Sequence, residues 1–153
     1  MTHAIRMHEL GGPEVLQWKD IEVGEPAADE IRIRHTAIGL NYIDVYFRTG
    51  LYAGPELPFT PGMEAAGVVE AVGEAVTEFA PGDRVAYASG PLGSYSEQRC
   101  MPAARVVPLP DDVDDRRAAA MMLKGMTAQY LLKRTHPVQP GDTILFHAAA
   151  GGV

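Results

Sequence analysis

Apolar and polar side chains alternate most cleanly along residues 30–38, where Ile31 and Ile33 are flanked by Glu30, Arg32 and Arg34. A period of two puts one set of side chains in a core and the other in water, which predicts a half-buried β-strand. Similar short runs at residues 4–7, 16–18, 65–72, 83–88, 94–100 and 104–107 read as further strands. Turn chemistry separates them, notably Gly11-Gly12-Pro13 and Pro81-Gly82. Many short strands at this spacing point to an antiparallel barrel or sandwich. One helix is expected at Tyr42–Arg48, stopped by Gly50. Beyond Asp114 the pattern changes. Asp114 and Asp115 cap a helical run from Arg116 to Arg134, rich in Ala, Met and Leu, with a break or bend expected near Lys124-Gly125. Met121, Met122 and Met126 read as its buried stripe. Pro137 and Pro140-Gly141 close the run, and residues 142–147 then read as a short buried strand.

Composition narrows the partners. The 153 residues suit one domain, 46% hydrophobic and 22% charged. A formal charge of −7 with no basic cluster argues against nucleic acid as the ligand. The single cysteine, Cys100, leaves no internal disulfide and reads as an inert strand residue. No apolar stretch has the length of a membrane span or a leader, so a cytoplasmic protein without membrane contact is expected.

The last residues carry the most chemistry. A strand that feeds the small-residue turn Ala148–Val153 is how a dinucleotide-binding βαβ unit opens, the following helix offering its N–H groups to a pyrophosphate. The text stops before that helix, which predicts the front portion of a longer nucleotide-dependent enzyme. Three patterns occur in order: Ala37–Asp44 at a strand-to-helix junction, Pro61–Val69 leading to Gly73 and Pro81–Val85, and Gly141–Leu145 running into Gly151-Gly152. Together they resemble the medium-chain dehydrogenase/reductase superfamily. Within it they look like the zinc-free NADPH:quinone oxidoreductase branch, the zeta-crystallin-like enzymes.

That resemblance implies a mostly β chain with some α: a GroES-like, partly open β-barrel catalytic domain over residues 1–115. Residues 116–153 would be a linking helix and the first strand of a truncated Rossmann domain. It implies NADPH as cofactor, hydride transfer to a quinone or conjugated carbonyl, and a homodimer for the full-length protein. The residues that would select NAD or NADP are not in this text. Zinc-using relatives carry Cys where Asn41 stands and His where Met63 stands, and neither Asn nor Met competes with those ligands for the metal. No metal site is therefore expected.

Asn41 is the first candidate for contact with nicotinamide and substrate, and equally a helix N-cap. Tyr46 and Tyr52 are catalytic-cleft candidates that could instead be packing or surface aromatics. Lys124 is read as meeting a cofactor phosphate or ribose, or else as solvated. Thr127 could bond the carboxamide, and Tyr130 could form a cofactor wall or belong to the core. Gly151, Gly152 and Val153 are the expected start of the pyrophosphate turn. Asp44 is read as orienting its junction and Glu64 as pairing with a buried base, not as acid–base catalysts. A 2-alkenal or enoyl reductase of the same superfamily, and a non-catalytic GroES-like binding module, remain the alternatives. Residues 1–153 alone are expected to be inactive.

Overall fold

The computed structural model describes all 153 residues. β1 (Thr2–Arg6) and β2 (Gln17–Ile21) form an antiparallel hairpin. A five-stranded antiparallel sheet follows, in the order β6-β3-β4-β5-β7. Its strands are β3 (Glu30–Gly39), β4 (Glu64–Val72), β5 (Arg84–Ala88), β6 (Gln98–Pro102) and β7 (Val107–Pro108). Isolated bridges Ala4–Ser96 and Met7–Phe59 tie the hairpin to the rest. The alternation in β3 is realised: Ile31 and Ile33 are fully buried, and they pack with Val69, Val85, Tyr87 and Met101.

Helix α1 (Tyr42–Thr49) starts at Asn41 and ends on Gly50, whose φ of +79° is the left-handed conformation that a side chain disfavours. Helix α2 (Asp115–Tyr130) starts at Asp114, whose carboxylate accepts the Arg117 N–H at 2.9 Å. Asp115 fastens it to the sheet, accepting from Thr36 Oγ1 at 2.6 Å on β3 and pairing with Arg84 on β5. The Thr36 hydrogen bond, with help from the Arg84 guanidinium, holds the Asp115 carboxyl below its ordinary range.

Small residues let α2 lie close. Ala118 and Ala119 pack on Ala66 and Ala86 of the sheet. Gly39, at the end of β3, sits where a Cβ would collide with the Ala119 carbonyl oxygen and come within 2.6 Å of Glu64 Oε2. No side chain fits there.

Several sequence expectations need correction. Residues 94–96 do not belong to a strand, because Ser96 makes a single bridge to Ala4 and regular pairing begins only at Gln98. Ala103–Arg105 forms a 3-10 turn, which leaves β7 two residues long. Helix α2 runs through Lys124-Gly125 unbroken and passes into a π-helical turn at Leu131–Thr135. Met121 and Met126 are 54% and 51% exposed, so only Met122 packs against the sheet side. Residues 143–147 have no strand partner and are exposed, Leu145 to 84%. An apolar run becomes a buried strand only where another strand can pair with it. No helix is long and apolar enough to cross a membrane.

Behind the sheet, His35 Nδ1 lies 2.6 Å from the Ser96 carbonyl, so Nδ1 carries the proton and donates. Bare Nε2 then accepts from the Tyr87 hydroxyl at 2.9 Å. Burial, reinforced by Arg99 and opposed by the Ser96 hydrogen bond, lowers the His35 pKa to about 4. Burial likewise pushes the Tyr87 phenol up to about 12.

Two outcomes are expected. An unfolded His35 takes up its proton near pH 6.5, whereas the folded one resists until about 4. Its stabilising contribution is thus complete above pH 6.5 and drains away as pH falls toward 4, by about 3 kcal/mol at most. Urea denaturation at pH 7.5 and 4.5 should show a drop that is smaller in His35→Gln by about 2 kcal/mol; equal drops would rule this out. Gly39→Ala should destabilise by about 1–3 kcal/mol as β3 and α2 are forced apart, measured by thermal or urea unfolding, and an unchanged midpoint would contradict the packing.

Candidate active site

Three elements converge on one carboxylate. Glu64 opens β4, pairs across the sheet with Gly39 and Ala88, and has no exposed surface. Its Oε2 accepts from Asn41 Nδ2 at 2.7 Å, and its Oε1 accepts from the Leu123 backbone N–H of α2 at 2.7 Å. Lys124 Nζ stands 3.6 Å from Oε2 and donates to Asn41 Oδ1 at 2.7 Å. A buried charge needs partners of this kind, since loss of hydration is otherwise uncompensated.

Asn41 is 6% exposed. It stands at the N-cap of α1, where Asp44 Oδ2 accepts its backbone N–H at 3.0 Å. Its side-chain amide bonds Glu64 and Lys124, so helix start and polar site meet in one residue. Asp44 Oδ2 also takes the Tyr95 hydroxyl at 2.8 Å, while its Oδ1 has no partner. Burial is the main reason that the Asp44 carboxyl is raised above its ordinary range, with Tyr95 and Asn41 opposing it. Burial, then the Asp44 contact, raises the Tyr95 phenol. Asn41, Asp44, Arg48 and Tyr95 line a small cavity of about 70 Å³. A wider groove of about 470 Å³ runs between Ile38–Leu40 and the face of α2 that carries Arg116 and Lys124.

The structure brings Asn41 and Lys124 together with Glu64, which joins residues that sequence reasoning treated separately. The base that pairs with Glu64 is Lys124 itself, only partly buried. Thr127 lies one turn on and donates to the Leu123 carbonyl at 2.7 Å. Tyr130 is 51% exposed on the same helix. Tyr46 and Tyr52 sit in an aromatic cluster with ring centroids 5.1 Å apart, and Tyr42 packs edge-on against Tyr46 at 5.3 Å. None of these three hydroxyls makes a hydrogen bond within the chain.

Gly151, Gly152 and Val153 are exposed, in the turn after Phe146. A Cβ on Gly152 would come within 3.1 Å of Lys124 Cε, so this bare backbone lies on the lysine stem. A glycine turn in contact with a lysine is compatible with a dinucleotide there, because backbone N–H groups and an ammonium both favour phosphate. Sequence reasoning missed Tyr95, which is 51 positions from Asp44 and has no local pattern to mark it. No three His, Cys, Asp or Glu side chains converge in a way that could hold a metal ion.

Comparison with known proteins agrees with this architecture. The alcohol dehydrogenase GroES-like domain matches residues 27–111. A quinone oxidoreductase of Pseudomonas aeruginosa is 56% identical over the whole of this chain, which covers 47% of that protein. A 2-haloacrylate reductase of a Burkholderia species is 48% identical, again over the whole chain and 47% of the relative. The crystal structure of Escherichia coli quinone oxidoreductase complexed with NADPH superposes with a TM-score of 0.88 at 44% identity, over 90% of this chain and 42% of that one. The chain thus spans about half the length of the curated relatives it matches. A mostly β sheet, a helix started by Asn41 and a second helix laid across small residues are the parts of one known domain, and the chain belongs to the alcohol dehydrogenase GroES-like domain family.

Proposed function

We propose that the complete protein is a zinc-independent, NADPH-dependent reductase of quinones or conjugated carbonyls, and that residues 1–115 form its acceptor-side domain. Residues 116–153 form the link and the opening of the nucleotide-binding domain. The observation that carries this reading is the Asn41–Glu64–Lys124 array, in which a buried amide is bonded to an ammonium whose side chain lines a groove. NADPH, when bound, supplies the hydride. The chain's own residues then hold the acceptor and stabilise charge on its oxygen.

Asn41 and Lys124 carry N–H groups beyond those bonded within the protein, and fixed donors near a developing oxyanion lower the barrier most. Tyr46 and Tyr52 present free hydroxyls and flat faces suited to an aromatic acceptor. Lys124, Thr127, Tyr130 and Gly151–Val153 are the proposed cofactor contacts, with Lys124 and Gly152 already adjacent. Zinc independence is supported by the donor set: the Asn41 amide is committed to Glu64 and Lys124, and Met63 offers only a thioether. A cytoplasmic homodimer acting on a small molecule, without nucleic acid or membrane, completes the proposal.

A second reading is favoured by the 2-haloacrylate reductase relative. An α,β-unsaturated acid or aldehyde would use the same donors on its carbonyl oxygen while the hydride adds to the distant carbon.

Asn41→Ala in the complete protein should lower kcat/KM for a quinone by about 10²-fold, with activity insensitive to a zinc chelator. Full activity in the variant, or loss on chelation, would refute the assignment. Residues 1–153 expressed alone should show no NADPH-dependent quinone reduction, because 153 residues cover under half of the relatives and Ile144–Phe146 lie exposed. Turnover by that piece in a spectrophotometric assay would overturn this expectation.

A further inference from the structure

The geometry assigns to Glu64 the role of a positioning residue that dictates which way round the Asn41 amide stands, and thereby makes the site a receptor for hydrogen-bond acceptors. This inference rests on the proposed function only for the identity of the ligand. A carboxylate can only accept and an ammonium can only donate. Asn41 lies between one of each: Nδ2 on Glu64 Oε2 and Oδ1 on Lys124 Nζ, both at 2.7 Å. Rotating the amide by half a turn would set its oxygen against the carboxylate and its NH₂ against the ammonium. Both contacts would then repel.

Glu64 cannot adapt to such a reversal. It has no exposed surface, and its other oxygen is held by the Leu123 N–H, a backbone donor with fixed direction. The polarity is thus imposed from α2 through Glu64 to Asn41 and on to Lys124. Asn41 keeps one N–H without a partner in the chain, and Lys124 keeps N–H capacity beyond its bond to Asn41. Asn41 lines the cavity of about 70 Å³ and Lys124 the groove of about 470 Å³, so each brings a spare donor to open space. The ligand atom they fit is an oxygen that accepts, such as a quinone or enone carbonyl, which binds more strongly as negative charge builds on it. An alcohol or amine that must donate is matched less well.

Substitution can reverse this polarity at constant size. In Glu64→Gln, the amide oxygen stays on the Leu123 N–H and the NH₂ turns to Asn41. Asn41 must then flip, which sets its own NH₂ against Lys124. In the double variant, Glu64→Gln with Asn41→Asp, the carboxylate introduced at the start of α1 accepts from both the introduced amide and Lys124. The network closes again with the same total charge. That carboxylate, however, has no N–H to give.

The test uses the complete protein and two readouts: side-chain ¹H–¹⁵N resonances of Asn41 and Lys124, and NADPH-dependent reduction of a benzoquinone and an enone. E64Q should lose the protected Lys124 ammonium signal and about 10–100-fold in kcat/KM, the scale expected when a charged hydrogen-bond partner is removed. The double variant should regain the Lys124 signal without regaining turnover. If E64Q fails to fold, recovery of folding in the double variant supports the same directional requirement, and failure of both overturns it. An E64Q protein with unchanged Lys124 protection and unchanged turnover also overturns it. Wild-type protein that reduces neither acceptor would sink the proposed function alone, and the spectra would still decide the role of Glu64.

Discussion

A carboxylate sealed from water has to be answered by donors, and the way Glu64 is answered organises the molecule. One donor comes from the loop that starts α1, one from the backbone of α2, and a charged one from the Lys124 side chain. These elements lie far apart in sequence, with 59 positions between Glu64 and Leu123. The residues that lock the two helices onto the sheet are therefore the ones that define the polar site. Close approach is a precondition, which is why the bare Cα of Gly39 and the alanines at 66, 86, 118 and 119 matter as much as the polar groups. Had β3 ended in a larger residue, α2 would stand off and Leu123 would not reach the carboxylate.

The parts of this arrangement that could be read from the chain are those with a local signature. Alternation marks β3, and Asn41 with Gly50 brackets α1. Asn41 and Lys124 stand out because their neighbours follow a family pattern. Two of the errors share one cause: apolar character by itself implies neither burial nor pairing. Residues 143–147 are apolar and unpaired, while Met121 and Met126 lie on the open side of α2. At residues 94–105 the turn chemistry of Ser94–Ser96 and Ala103–Arg105 displaces the strand ends that periodicity predicts. The meeting of Glu64 with Lys124, and of Tyr95 with Asp44, depends on tertiary closure and leaves no trace in spacing.

Two buried polar groupings share the sheet but serve it differently. His35, Tyr87 and the Ser96 carbonyl form a neutral chain in which each proton has one place to go. It joins β3 to β5 and to the segment before β6 without placing a charge in the core. The grouping at Glu64 joins an acidic and a basic side chain through an amide, and its lysine lines a groove. The two groupings are thus kept apart, each with its own set of partners.

The aromatic rings of α1 and of the turn that follows it stand apart from both. Tyr42, Tyr46 and Tyr52 touch one another, yet their hydroxyls are bonded to nothing within the chain. Each of these rings can be exchanged with only local loss of packing. Glu64 and Gly39 allow no such drift, because each is held by several neighbours at once. Tolerance to substitution should therefore be high at the three tyrosines and low at Glu64 and Gly39.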